Sequence, residues 1–233
     1  MSTATVTPED TDVHAATPGR SPLRVVLLAV IAVALVLLGG GGAVALGIGR
    51  NAPPTADSVD AGFARDMSTH HLQGVEMANL ALTRATDPEV RSIAFDISAT
   101  QTNQVGRMQG WLDLWGVPLS GGTPMSWMGS TGMSGHAMSG MDMGQGALMP
   151  GMATEAELTQ LGTLSGTAFD VQFLRLMIRH HQGGLTMAQY AAAHAGLPVV
   201  RTLARSIADT QTAETTTMAG ILTRLGGTPL PAS

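Results

Sequence analysis

The chain has 233 residues and a formal net charge of −5. Its twelve basic residues are all arginine, and 3% of its residues are aromatic. This composition excludes the basic patch and the stacking platform of a nucleic-acid-binding protein. It has no cysteine, which excludes disulfides, thiolate metal sites and a cysteine nucleophile. The compositional excess to explain is methionine, with 15 residues.

The N-terminal part predicts a membrane anchor. Residues 1–23 are rich in Thr, Pro, Ala and Asp without apolar periodicity, which predicts a disordered cytoplasmic tail. Residues 25–48 carry no charge and exceed the roughly 20 residues that cross a bilayer, so we expect a transmembrane helix or signal anchor within 24–49. Arg20 and Arg24 precede this stretch, which favours a single-pass protein of the cell membrane with the chain beyond residue 50 outside the cytoplasm.

A cleaved secretory signal is the alternative interpretation, because Ala43-Val44-Ala45 resembles a small-residue cleavage site. The mature chain would then be secreted. We favour the uncleaved anchor, because the apolar stretch is longer than the usual signal core of about 7 to 15 residues.

Beyond a short linker, residues 50–56, the chain repeats itself at an offset of 110 residues, which indicates an internal duplication. The matching pairs are Asp60/Asp170, Phe63/Phe173, Met67/Met177, His70/His180, His71/His181, Gly74/Gly184, Met77/Met187, Ala78/Ala188, Pro88/Pro198, Arg91/Arg201, Ile97/Ile207, Gln101/Gln211, Met108/Met218 and Leu112/Leu222.

Each copy predicts a helical hairpin, because its apolar residues recur at steps of three and four and are interrupted once by a turn signal. The first hairpin spans 57–118, bends at Asp87-Pro88 and ends at Gly116-Val117-Pro118. Residues 154–228 hold a short helix and the second hairpin, which bends at Gly196-Leu197-Pro198. Two hairpins can bury their apolar faces together, so we predict an all-α fold, an antiparallel four-helix bundle preceded by one transmembrane helix.

The segment between the copies, residues 119–153, is rich in Met, Gly and Ser and predicts a flexible loop. It carries eight of the fifteen methionines. One cluster could offer several thioethers and an imidazole to one ion: His136, Met138, Met141 and Met143. The alternative is a low-complexity linker in which methionine is incidental.

The paired histidines are the strongest sign of chemistry in the repeat. Methionines at helical spacing are usually core residues, but an adjacent histidine pair in both copies is hard to explain by packing. If the first hairpin turns near residues 85 and 86, His71 lies level with Gln101, and His181 likewise with Gln211. The apolar stripe favours His70 and His180 as inward and the other two as flanking. The candidate ligands in the helices are Met67, His70, His71, Met77, Met108, Met177, His180, His181, Met187 and Met218.

Imidazole and thioether donors together favour copper, with Cu(I) preferred and Cu(II) accepted by the histidines. Zinc would favour cysteine or carboxylate, and a di-iron site needs a Glu-x-x-His motif that the chain lacks. The alternative is a metal-free structural or protein-interaction bundle. No catalytic constellation is recognisable, so we do not expect an enzyme, and a copper-dependent oxidase stays open as the alternative. The expected partners are copper ions and, through residues 25–48, the membrane; a copper-handling partner protein or a homo-oligomer stays open.

The motif F-x3-M-x2-HH-x2-G-x2-MA, at Phe63 to Ala78 and again at Phe173 to Ala188, resembles the family named domain of unknown function 305, whose copper-linked members are called CopM-like. The resemblance covers 57–227 and includes MPGM at 149–152. It implies a ferritin-like four-helix bundle and, for some members, copper binding outside the cytoplasm and copper tolerance. The copies differ where Gln104 corresponds to Glu214, so two sites need not be equal.

Overall fold

The computed structural model describes residues 22–45, 52–129 and 147–230. These parts of the chain form helices and contain no strand, which confirms the all-α prediction. They divide into two compact units, one within residues 1–52 and the other within 53–233.

The first unit contains helix α1, Pro22–Ala45. The apolar side chains described for it are largely exposed. The stretch Pro22–Gly42 is long and apolar enough to cross a membrane, the single such stretch among the described residues. The predicted N-terminal apolar helix is therefore present.

The second unit begins with a helical hairpin, α2 (Val59–Arg84) and α3 (Pro88–Trp115). Ser58 caps α2 by accepting a hydrogen bond from the backbone of residue 61. Asp87 caps α3 in the same way, and Pro88 lies in the first turn of this helix. The bend predicted at Asp87-Pro88 is therefore the start of α3. Gly116, at a φ of 67°, ends α3 in the left-handed conformation that glycine adopts without strain.

The second copy begins with α4 (Glu155–Thr163), whose Thr154 and Glu157 form a reciprocal capping box. It continues with the hairpin α5 (Gly166–His194) and α6 (Pro198–Arg224). Each hairpin packs its own two helices together, and the hairpins meet along α2 with α5 and along α3 with α6. This arrangement agrees with the predicted bundle of two duplicated hairpins.

A repeated aspartate joins each hairpin to the bend of the other. Asp60 on α2 accepts hydrogen bonds from the backbone N–H groups of Gly196 and Leu197, each at 2.8 Å. Asp170 on α5 accepts from the backbone N–H of Thr86 in the opposite bend. The duplicated Asp60/Asp170 pair therefore reciprocally satisfies backbone donors that the helix starts leave unpaired.

The flanks of the methionine-rich segment are packed against the bundle. A short 3-10 helix, Ser126–Met128, places Trp127 over Gly62, where a Cβ would collide with the indole. Asp66 accepts hydrogen bonds from the Trp127 Nε1–H and from the backbone N–H of Met125. The predicted ligand cluster of this segment lies outside the described residues: His136, Met138, Met141 and Met143.

Candidate metal site

Four imidazoles form a continuous row across the middle of the bundle. His70 and His71 come from α2 and His180 and His181 from α5, and all four side chains are fully buried. The ring centroids of His70 and His180 are 3.9 Å apart, across the interface between the hairpins. The outer rings lie 6.4 Å and 6.1 Å from their chain neighbours. His70 and His180, the two histidines predicted to point inward, therefore face each other across this interface.

Hydrogen bonds to backbone carbonyls set the tautomers of the two central histidines. The His70 Nε2–H donates to the carbonyl of Pro150 at 3.2 Å, and the His180 Nε2–H donates to the carbonyl of His70 at 2.9 Å. A carbonyl oxygen can only accept, so in both rings the proton lies on Nε2. Nδ1 of each ring therefore carries the free lone pair.

Side chains of the outer helices hold the two outer histidines. The His71 Nε2–H donates to Gln104 Oε1 on α3, and the His181 Nε2–H donates to Glu214 Oε2 on α6, both at 2.8 Å. The row is therefore bounded by an amide at one end and a carboxylate at the other. In both outer rings, too, Nδ1 is the nitrogen with the lone pair.

All four Nδ1 atoms are buried without a hydrogen-bond partner, and so are both carboxamide heavy atoms of Gln101 and Gln211. A buried polar group left unpaired costs about 1–3 kcal/mol, so this layer lowers stability unless a ligand satisfies it. Metal-ligating histidines characteristically donate their second ring N–H to a carbonyl or carboxylate, which is the pattern here. The donor set therefore fits a metal ion.

Two repeated glycines let the carboxamides reach this layer. A Cβ on Gly74 would collide with Oε1 of Gln101 and would lie 3.0 Å from the His180 ring. Gly184 has the same relation to Gln211, whose amide nitrogen would lie 2.9 Å from an added Cβ. The glycines therefore provide the room in which glutamine and histidine approach each other.

The pairing across each hairpin differs by one helical turn from the sequence prediction. His71 was expected level with Gln101, but it bonds Gln104, and His181 correspondingly bonds Glu214 rather than Gln211. Side chains lean towards the N-terminus of their own helix, which is away from the bend in α2 and towards the bend in α3. A side chain of α2 therefore contacts a residue of α3 that lies farther from the bend than the residue directly opposite it along the backbone.

Six of the predicted methionine ligands are fully buried on the two sides of the histidine row. The helices α2 and α5 are antiparallel. Residues that precede the histidines in one helix therefore lie at the same level as residues that follow the histidines in the other. One buried cluster contains Met67, Met108 and Met187, and the other contains Met77, Met177 and Met218. Each group of three draws on both hairpins, so one methionine group is buried on either side of the level of the histidines.

The other described methionines of the loop flanks are core residues. They lie in the first of the two clusters: Met125, Met128, Met149 and Met152. In the described part of the chain, no three His, Asp or Glu side chains are grouped so as to hold one ion.

Burial keeps three histidines of the row neutral, namely His70, His71 and His180. It lowers the pKa of His70 to about 4 and that of His71 to about 3, with the neighbouring imidazoles as a smaller cause. The pKa of His180 is held well below its usual value by burial first and by the other rings second. Metal ligands must be unprotonated, so at neutral pH these imidazoles are ready to bind.

These pKa shifts predict acid destabilisation of the metal-free chain. Because the folded-state pKa of His70 lies below the unfolded value of 6.5, the unfolded state binds more protons and stability falls as the pH drops from 6.5 towards 4. We expect a loss on the order of 3 kcal/mol from His70 alone. Urea midpoints of the full chain in detergent at pH 7.5, 5.5 and 4.5 measure it. His70→Gln should reduce the pH dependence, and a constant wild-type midpoint would contradict the expectation.

The MPGM turn explains one difference between the copies. A Cβ on Gly183 would collide with the Pro150 carbonyl, and Gln73, the corresponding residue of the first copy, exchanges two hydrogen bonds with the backbone of Ala153. Helix α5 therefore makes room for the turn at Gly183, and α2 holds the turn through Gln73. In this position the Pro150 carbonyl accepts the hydrogen bond of His70.

Sequence reasoning did not identify Gln104 and Glu214 as partners of the histidines. Because the two residues differ, matching the copies does not mark them as part of a shared motif. The available signal is their common spacing of 33 residues from His71 and His181. This spacing places them across each hairpin once the lean of the side chains is included.

Comparison with solved structures identifies relatives of the same fold, whereas no curated protein matches the chain. A DUF305 protein from Streptomyces coelicolor, described as a candidate secreted protein, is 44% identical, with a TM-score of 0.66 over 76% of this chain and 99% of its own. A DUF305 fragment from Deinococcus radiodurans is 36% identical, with a TM-score of 0.57 over 74% of this chain and 99% of its own.

A third relative, CopM, has been solved with copper. Its Cu(II)-bound form is 28% identical, with a TM-score of 0.55 over 72% of this chain and 97% of its own. Its Cu(I)-bound form is 25% identical, with a TM-score of 0.54 over 72% of this chain and 98% of its own. The family model for the domain of unknown function DUF305 matches residues 60–222, which include nearly all of both hairpins and the whole histidine row. The chain therefore belongs to the DUF305 family.

Proposed function

We propose that this chain binds copper in the buried histidine layer and acts in copper sequestration or delivery. The observation that carries the proposal is the row of four buried imidazoles, each holding its Nε2–H in a hydrogen bond and presenting an unpaired Nδ1. Burial of such a layer lowers the stability of the fold when no ligand is bound, whereas a bound ion would satisfy the unpaired nitrogens.

The neighbouring thioethers support copper over harder ions. Sulfur and imidazole ligands favour Cu(I), and imidazole alone also accepts Cu(II). The candidate ligands are the four histidines with the two methionine groups around them. CopM, a relative of the same fold, is known in Cu(I)- and Cu(II)-bound forms.

The methionine-rich segment supplies a further candidate, in which His136, Met138, Met141 and Met143 capture ions before they reach the bundle. Helix α1 anchors the protein in the membrane, with the bundle outside the cytoplasm. In this compartment thiols oxidise readily, whereas methionine and histidine stay usable as copper ligands, which agrees with a chain that lacks cysteine. We expect copper ions as the ligand and no catalysis.

Equilibrium dialysis tests the proposal. The full chain in detergent micelles, under reducing conditions, should take up Cu(I) and its redox-inert analogue Ag(I) saturably, with Zn²⁺ bound more weakly. Bound Cu(I) should also raise the thermal midpoint, because a ligand that prefers the native state stabilises it. Leucine at positions 138, 141 and 143 should lower the stoichiometry without removing the buried sites.

Two results would favour the alternative, a metal-free structural or interaction bundle. One is a folded wild-type chain that takes up neither Cu(I) nor Ag(I). The other is a thermal midpoint that is the same with and without copper. In that case the histidine row would serve only the packing of the two hairpins.

A further inference from the structure

The two ends of the histidine row carry different charges, and this difference bears on which copper ion each end prefers; the inference rests on the proposed copper binding. Gln104 and Glu214 occupy equivalent positions of the two copies, and each accepts the Nε2–H of an outer histidine at 2.8 Å. The hydrogen bonds are geometrically alike. The ends therefore differ in charge rather than in shape.

The carboxylate of Glu214 is poorly screened. Its side chain is 13% exposed, and it accepts the hydrogen bond of His181. Among the arginines within residues 52–129 and 147–230, none forms an ion pair with it. A cation bound at the His181 ring would therefore meet a carboxylate that no described arginine neutralises by an ion pair.

Two surface grooves differ in charge in the same sense. Two grooves run between α3 and α6, and the one of about 390 Å³ beside Gln104 is lined by Arg107 and no carboxylate. The other, of about 280 Å³, contains Thr217, the counterpart of Arg107 in the repeat, and is lined by Glu89 and Asp96. Glu89 is paired with an arginine of α6, which leaves Asp96 as the main negative charge there. The groove beside Gln104 is therefore neutral to positive, and the groove at Thr217, three residues after Glu214 on α6, is negative.

Charge–charge energy scales with the charge of the ion, so a carboxylate favours a divalent cation about twice as strongly as a monovalent one at the same place. A carboxylate that accepts the imidazole N–H also makes the ring a more basic ligand. We propose that Glu214 makes the His181 end of the row selective for Cu(II), whereas the neutral Gln104 leaves the His71 end selective for Cu(I). Glu214 acts here as a positioning residue, through His181.

Reciprocal exchange of the two residues tests this proposal in the full chain in detergent. Cu(II) affinity is measured by titration with electron paramagnetic resonance detection, and Cu(I) affinity by competition with bicinchoninic acid. Glu214→Gln should weaken Cu(II) binding about 30-fold and Cu(I) binding only about fivefold. It should also change the nitrogen hyperfine pattern of bound Cu(II), which a merely structural role would not do.

The matched variants make the outcomes distinct. Gln104→Glu should strengthen Cu(II) binding at the opposite end, and the double exchange should restore the overall Cu(II) to Cu(I) preference. Asp209→Asn removes a charge from the exposed face of α6 and should change either affinity less than about twofold. Thermal midpoints of the metal-free variants check folding, and Gln104→Glu keeps the test independent of how well Glu214→Gln folds.

Two outcomes overturn the proposal. If the wild type binds copper but both exchanges change Cu(I) and Cu(II) affinities by equal factors or leave them unchanged, the charge assignment fails and the proposed copper binding stands. If the folded wild type takes up neither ion, both proposals fail together.

Discussion

Replacement of His70 and His180 by glutamine is expected to weaken Cu(I) binding by at least about 100-fold while the bundle stays folded. The amide of glutamine can keep the hydrogen bonds that these rings donate to the carbonyls of Pro150 and His70. It removes the two unpaired Nδ1 atoms at the centre of the row. Loss of ligands or their supporting contacts typically costs 10- to 100-fold or more in metal affinity. Competition with bicinchoninic acid measures the change.

The matched control is His194→Gln. This histidine is exposed, lies outside the row on the last turn of α5, and bonds the carbonyl of Tyr190. The same chemical change there should leave Cu(I) affinity within about twofold. Equal losses in the control and in the double variant, or no loss in the double variant, would show that the row is not the binding site.

Asp170→Ala is expected to destabilise the bundle by roughly 3 kcal/mol, because it leaves several donors of the opposite bend unpaired. Asp170 is 1% exposed and accepts from the Thr86 hydroxyl at 2.6 Å and from the backbone N–H groups of Thr86 and Asp87 at 3.1 and 3.0 Å. Urea unfolding of the full chain measures the change through its midpoint.

Asp209→Ala provides the control, since Asp209 is exposed on α6 and its replacement should change stability by no more than about 0.5 kcal/mol. Asp60→Ala should resemble Asp170→Ala, because Asp60 holds the other bend in the same way. A loss at Asp170 no larger than the control would mean that the reciprocal caps contribute little to the joining of the hairpins.

Local signals were sufficient to predict the helices. Asp87-Pro88 and Gly116 satisfy backbone groups within a few residues of themselves, so their effect is readable without knowledge of distant contacts. The duplication then predicted the bundle, because two hairpins with the same apolar stripe bury it best against each other. The family resemblance at the repeated motif is confirmed by the match over residues 60–222.

The roles of Asp60 and Asp170 could not be predicted in the same way. Both residues were visible as a repeated pair, but their partners lie in the opposite hairpin, more than 80 residues away along the chain. Such a contact depends on which ends of the hairpins are brought together. The periodicity of each helix carries no information on that choice.

By itself, the sequence determined the helical hairpins, their duplication and the supply of imidazole and thioether donors, because these follow from local periodicity and residue type. Only the tertiary structure decided that four histidines form one buried row with every Nδ1 unpaired. It also decided that Gln104 and Glu214, rather than Gln101 and Gln211, accept the hydrogen bonds of the histidines at the two ends of that row. The physical reason is that side chains lean along their helices and that antiparallel helices meet at a level set by packing, which spacing along the chain does not encode.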